Sequence, residues 1–256
     1  MGAVTTRYPF CEHPGPLAFA HRGGAGEAPE NSWTAFGRAL ALGFRYMETD
    51  VRATADGVAV CLHDPTLQRV TGRTGLVGEV NWHELRAFPL QDGQEVPRLE
   101  DVLGTWPGSR WNIDIKSPSA IAPVARAIER TGSKSRVLVT SFSSHRTARV
   151  RALVGPDLAT GAGRSTIAAL LGTRHLPFAV LRPSAVAAQV PVRYNNVRIV
   201  DIAFVRACHK AGVAVHVWTV DDDAEMEQLL DLGVDGIMTD RPSVLKVVLE
   251  RRGQWS

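Results

Sequence analysis

Cysteine is scarce in this chain: Cys11, Cys61 and Cys208 are the only three in 256 residues. An odd number without metal-type spacing argues against a disulfide framework and fits free thiols in a reducing compartment. Long apolar runs are missing too, and nothing approaches the ~20 residues needed to span a bilayer. The N-terminal MGAVTTRYPFCEHPGPLAFAHRG lacks the unbroken apolar core of a secretory signal, so a cytoplasmic protein is expected. Its Gly2 and Thr6 match the short spacing of a myristoylation signal and nothing more of one. Charge of neither sign dominates: 29 basic and 26 acidic side chains leave a net +3. That balance, with no nucleic-acid-reading motif beside it, argues against a nucleic-acid partner. A sequence pI near 9.0 still tolerates a phosphate-bearing substrate. No GxGxxG follows the first apolar strand, and no HxH pair offers a zinc site of the amidohydrolase kind.

What the chain does have is rhythm. LAFAH (17–21) is a short apolar run, and NSWTAFGRALALG (31–43) follows with helical spacing, an Asn/Ser start and a glycine stop. YMETDV and VAVCLH read as two strands separated by the turn-like ADG. WNIDIK (111–116), RVLVTSF (136–142), VAVHVWTV (213–220) and GIMTD (236–240) are further strands, each followed by a helical pattern. Strands alternating with helices imply parallel β-α units, and about eight of them in this length predict a closed (β/α)8 TIM barrel. The stretch Pro65–Pro97 breaks the rhythm and reads as an elaboration of one loop within a single domain.

Several strands carry charge where an interior strand should not. Residues two apart in a strand share a face, so Glu48 lies beside Asp50, and Asp114 beside Lys116. His21 and His63 each end an apolar strand. In a barrel the strand C-termini converge on one rim, where active sites form. Three carboxylates meeting there would repel one another and resist ionisation. A divalent cation resolves that conflict, and an all-oxygen ligand set favours Mg²⁺ or Ca²⁺. Two histidines beside it suit acid and base roles, while Arg22 and Lys116 add positive charge suited to a phosphate. Plainer readings stand beside these: an ion pair for Lys116, core packing for Trp218, a turn start for Asp64. His145, His175, His209 and His216 are read as structural, and Cys61 as packing.

HRGGAGEAPENSWTAFGRALALG, METDVRATADGVAVCLHDPTLQRVTGRTG, DIK and HVWTVDDDAEMEQLLDLGVDGIMTDRP, in that order, resemble the glycerophosphodiester phosphodiesterase family. The resemblance runs from about Ala18 to Pro242 and implies a TIM barrel with a small insertion, matching Pro65–Pro97. It implies catalytic histidines at His21 and His63, metal ligands at Glu48, Asp50 and Asp114, and substrate contacts at Arg22, Lys116 and Trp218. Asp114 departs from the family's usual glutamate and equals the aspartate of the related sphingomyelinase D type phospholipases.

The implied reaction is cation-assisted hydrolysis of a small phosphodiester to glycerol 3-phosphate and an alcohol. A lysophospholipase D or sphingomyelinase D type activity is the alternative. It would need an apolar entrance, which Leu76, Val77, Trp82, Leu85, Phe88 and Leu90 could supply, and it allows peripheral membrane contact. A non-catalytic phosphodiester-binding barrel is a third reading, opposed by the presence of both histidines and all three carboxylates.

Overall fold

The computed structural model describes residues 8–175 and 181–255. Strands covered on both faces need near-continuous apolar runs, and LAFA supplies the first. It forms β1 (Leu17–Ala20), buried throughout. Helix α1 (Trp33–Ala41) begins where the Ser32 hydroxyl accepts the Ala35 N–H. It turns Ala35, Phe36 and Ala39 inward. Next come β2 (Tyr46–Ala53), β3 (Ala59–Cys61), α2 (Gln68–Thr71), α3 (Trp82–Leu85) and α4 (Leu99–Thr105). The pattern continues with β4 (Arg110–Ile115), α5 (Ile121–Arg130), β5 (Val137–Thr140), α6 (Ser144–Val154), β6 (Ala159–Thr160) and α7 (Arg164–Thr173). It closes with β7 (Ala187–Pro191), the small hairpin β8 (Arg193–Tyr194) and β9 (Val197–Arg198), α8 (Ile202–Lys210), β10 (Ala214–Trp218), α9 (Asp223–Asp231), β11 (Gly236–Thr239) and α10 (Pro242–Arg251).

Eight parallel strands lie in the order β6-β5-β4-β2-β1-β11-β10-β7. A parallel bridge between Gly161 and Ala187 joins the two ends, so the sheet is a nearly closed (β/α)8 barrel, as the alternating pattern predicts. Strand alternation sorts the side chains. Met47, Val51, Trp111, Ile113 and Ile115 pack outward beneath the helices. Phe19, Tyr46, Leu138 and Met238 fill the inside, with Phe10 plugging them from the N-terminal segment. Trp111 is fully buried, and truncating such a side chain to alanine costs about 3–5 kcal/mol. Because β2 and β4 run in step, Glu48 sits opposite Asn112, and Asp50 opposite Asp114. That register carries the charged interior positions upward to the C-terminal rim.

VAVCLH departs from its expected place. Its pairing segment, β3, runs antiparallel to β2 with Val51 opposite Cys61, and it lies off the barrel path. The reason is the connection: a turn through Asp56 and Gly57 (φ 76) is too short for the crossover that a parallel strand requires. The chain then makes an excursion before β4, built on Val60, Leu62, Leu67, Val77, Leu85, Leu90 and Val96. Trp82 and Phe88 pack against that small core. Val77, Leu85 and Leu90 are therefore consumed in burial and do not supply an apolar entrance. Among the described residues no helix is long and apolar enough to cross a membrane.

Candidate active site

The C-terminal ends of β1, β2, β4 and β10 surround an open cavity of about 230 Å³. All eight residues singled out in the sequence line it: His21, Arg22, Glu48, Asp50, His63, Asp114, Lys116 and Trp218. Arg22 takes a left-handed backbone conformation (φ 51), rare for a residue with a side chain. Two hydrogen bonds hold it there: its N–H donates to Glu48 Oε2 at 2.9 Å, and its carbonyl accepts from the Asn31 N–H at 2.8 Å.

The carboxylates are balanced unevenly. Lys116 Nζ lies 2.7 Å from Asp50 Oδ1 and 2.5 Å from Asp114 Oδ2. Arg22 Nε stands 2.9 Å from Asp50 Oδ2, close enough for an ion pair but out of line for a hydrogen bond. Burial works against the Asp50 carboxylate, yet Lys116 and Arg22 outweigh it and lower its pKa. Burial raises Asp114 despite Lys116. Glu48 has the least compensation: burial, with Asp50 beside it, pushes it up to about 7. Three carboxylates thus face two fixed cations.

Each histidine has a carboxylate on its Nδ1. His21 Nδ1 is 2.7 Å from Asp240 Oδ1, and its Nε2 lies 3.8 Å from Glu48 Oε2. Burial disfavours the His21 imidazolium, but Glu48 and Asp240 prevail and raise its pKa. His63 Nδ1 is 2.7 Å from Asp64 Oδ1. A carboxylate on Nδ1 keeps the proton on that nitrogen and leaves Nε2 as the acceptor.

The carboxylates of Glu48, Asp50 and Asp114 form the donor set that a cation would meet here. It is all oxygen and carries an excess negative charge concentrated on buried Glu48, which suits a hard divalent ion. In the arrangement described, the Lys116 ammonium occupies the position between Asp50 and Asp114. Among the described residues no three acidic, histidine or cysteine side chains already converge as a ligand cage.

The glycerophosphoryl diester phosphodiesterase family profile matches residues 21–244, which takes in every strand end just described except that of β1's own run. The chain belongs to this family. The "Probable glycerophosphodiester phosphodiesterase 2" of Mycobacterium tuberculosis is 44% identical over 260 residues, covering 99% of this chain and 97% of that protein. The glycerophosphodiester phosphodiesterase of Caldanaerobacter subterraneus is 32% identical, covering 93% and 98%. Among solved structures, the Agrobacterium tumefaciens glycerophosphodiester phosphodiesterase superposes with a TM-score of 0.76 at 27% identity, covering 92% of this chain and 99% of that one. The family and the phosphodiester hydrolase class expected from the sequence are thereby upheld.

Four parts of this family member's site lie outside the residues singled out from sequence. Asn31, also left-handed (φ 53), donates from Nδ2 to Asp50 Oδ2 at 3.2 Å and accepts the Thr49 hydroxyl at 2.7 Å. Its only sequence signal was the helix start in ENS. Asp240 was visible as the acid closing GIMTD, but its pairing with His21 spans 219 positions. Arg69 and Glu30 belong to quoted motif blocks without a chemical cue of their own. Phe142, 50% exposed, lies 6.1 Å from the Trp218 ring and carries Arg164 4.8 Å above it. Of the histidines read as structural, His209 pairs with Asp235 at 2.7 Å, and His216 sits in the barrel interior against Phe19.

Proposed function

We propose that this chain hydrolyses glycerophosphodiesters to glycerol 3-phosphate and the headgroup alcohol, using His21 and His63 as the proton-transfer pair. The observation that carries the reading is the pairing of each Nδ1 with a carboxylate at one cavity, which leaves two basic Nε2 atoms beside Arg22 and Lys116. One Nε2 takes the proton of the attacking water as its oxygen bonds to phosphorus. The other histidine, protonated, gives its proton to the leaving alkoxide as the P–O bond breaks. Arg22 and Lys116 orient the phosphoryl oxygens by charge. Glu48, Asp50 and Asp114 would hold a divalent cation, Mg²⁺ or Ca²⁺, which when bound supplies positive charge where the phosphoryl group gains negative charge. Buried Cys61 and Cys208, both free thiols, accord with a cytoplasmic setting.

The test is phosphorus NMR of glycerophosphocholine with the enzyme and either ion. Replacement of the diester resonance by a monoester supports the proposal, and an unchanged diester under both ions overturns it. A second reading is favoured by the Phe142–Trp218 lip: an apolar chain on the diester would find aromatic surface there, making lysophospholipids the next substrates.

A further inference from the structure

The motif HDPTLQR places an arginine five residues beyond Asp64, and the fold gives that arginine a defined task. Helix α2 carries Arg69, which has both edges of its guanidinium engaged. Nε donates to Asp64 Oδ2 at 2.5 Å. Nη1 and Nη2 donate to the two oxygens of Glu30 at 2.8 Å and 2.7 Å, a bidentate fork. Glu30 is shared, since Arg22 Nη1 donates to it at 3.2 Å and 3.3 Å. Asp64 is shared as well: its other oxygen receives His63 Nδ1. A continuous chain of contacts therefore runs His63–Asp64–Arg69–Glu30–Arg22, linking the two sides of the cavity through the excursion between β2 and β4.

We propose that Arg69 is a positioning residue for His63: by fixing Asp64 with one edge and Glu30 with the other, it holds the imidazole in its Nδ1–H tautomer and keeps Nε2 free for proton transfer. Three observations support this over a plain surface ion pair. The Arg69 side chain is 47% exposed, and pairs that exposed contribute little to stability, so its triple engagement serves geometry. Arg69 Nε takes one Asp64 oxygen, which leaves the other facing His63 Nδ1, and an ionised carboxylate there can only accept, which favours the proton on Nδ1. The His63 ring is also tied at its backbone, where Arg52 Nε donates to the carbonyl at 2.8 Å. With that end fixed, the ring's remaining freedom is rotation and tautomer, the two variables Asp64 controls.

The proposal rests on His63 acting in the reaction described above, and its test separates the two. Nitrogen-15 NMR of the His63 ring, assigned by comparison with His63→Gln, reads the tautomer without reference to activity. The wild type is expected to show a protonated Nδ1, with Arg69→Met moving the ring toward the Nε2–H form. Kinetics on glycerophosphocholine are expected to show kcat reduced about 10- to 100-fold with KM nearly unchanged, and partial recovery in Arg69→Lys, which restores charge without the fork. If Arg69→Met does not fold, Asp64→Asn carries the same measurement. An unchanged His63 tautomer in either variant overturns the proposal. So does a loss of activity that appears in KM alone. If the wild type proves inactive on glycerophosphocholine, the proposed function fails while the tautomer measurement still decides the role of Arg69.

Discussion

Asp50 and Asp114 stand opposite one another on neighbouring parallel strands, and the single ammonium of Lys116 spans both. Asp50 is almost wholly buried, so this bridge neutralises charge that water cannot reach. Lys116→Met leaves both carboxylates without it, and breaking a buried pair from one side costs about 3–5 kcal/mol. Denaturant unfolding should show that loss without cation, and Mg²⁺ or Ca²⁺ should restore part of it. A variant as stable as wild type in the presence of chelator would contradict the arrangement.

Glu48 is the converse case. Burial and Asp50 hold its pKa near 7, against an ordinary 4.5, so the folded state binds a proton that the unfolded chain has released. Stability from this group is present below pH 4.5 and is lost as pH rises through 7. Glu48→Gln removes the penalised charge and should stabilise the protein at pH 8 by up to about 3 kcal/mol. Activity should fall by about 100-fold or more in the same variant. Thermal melts at pH 5 and pH 8 check the sign: the gain belongs to the higher pH.

His21→Asn and His63→Asn should each lower kcat by about 100- to 10,000-fold, with little change in melting temperature. The double variant should be little worse than the poorer single one, as the proposed sharing of one proton-transfer cycle requires. Fully additive losses would mean that the two histidines act in independent steps.

His216 gives the acid limit of stability. It is fully buried, its Nε2 has no hydrogen-bond partner among the described residues, and burial pushes it down to about 4 from 6.5. Below pH 6.5 the unfolded chain takes up a proton that the folded barrel refuses until about pH 4. Its stabilising contribution is thus complete above 6.5 and disappears as pH falls toward 4, a difference of about 3 kcal/mol. Between pH 7.5 and 4.5, wild type should lose about 2–3 kcal/mol more than His216→Met. Equal losses would contradict a neutral buried imidazole.

The residues of the candidate site were legible where they broke a pattern. Glu48, Asp50 and Asp114 stood out because carboxylates on apolar strands demand a reason, and His21 and His63 because they end such strands. Parallel architecture was legible for the long apolar runs, but β6 has only two residues, Ala159–Thr160, and β7 (AAQVP) breaks its run with Gln189 and Pro191. Neither announces itself. VAVCLH misled because its composition suits either strand direction, while the turn through Asp56 and Gly57 decides it. Leu85 and Leu90 gave no sign of which surface they would cover. Asp240, Glu30 and Arg69 were hidden for another reason: a carboxylate or guanidinium gains its role from a partner that only closure of the barrel and docking of α2 bring near.

The most direct test of the account is glycerol 3-phosphate release from glycerophosphocholine by wild type and Glu48→Gln, each assayed after chelation and again with Mg²⁺ or Ca²⁺ restored. The account predicts that wild type loses activity to the chelator and regains it with one of the ions, while Glu48→Gln stays inactive throughout. Undiminished release by chelated wild type, or by Glu48→Gln, would contradict a cation held by the carboxylates of β2 and β4.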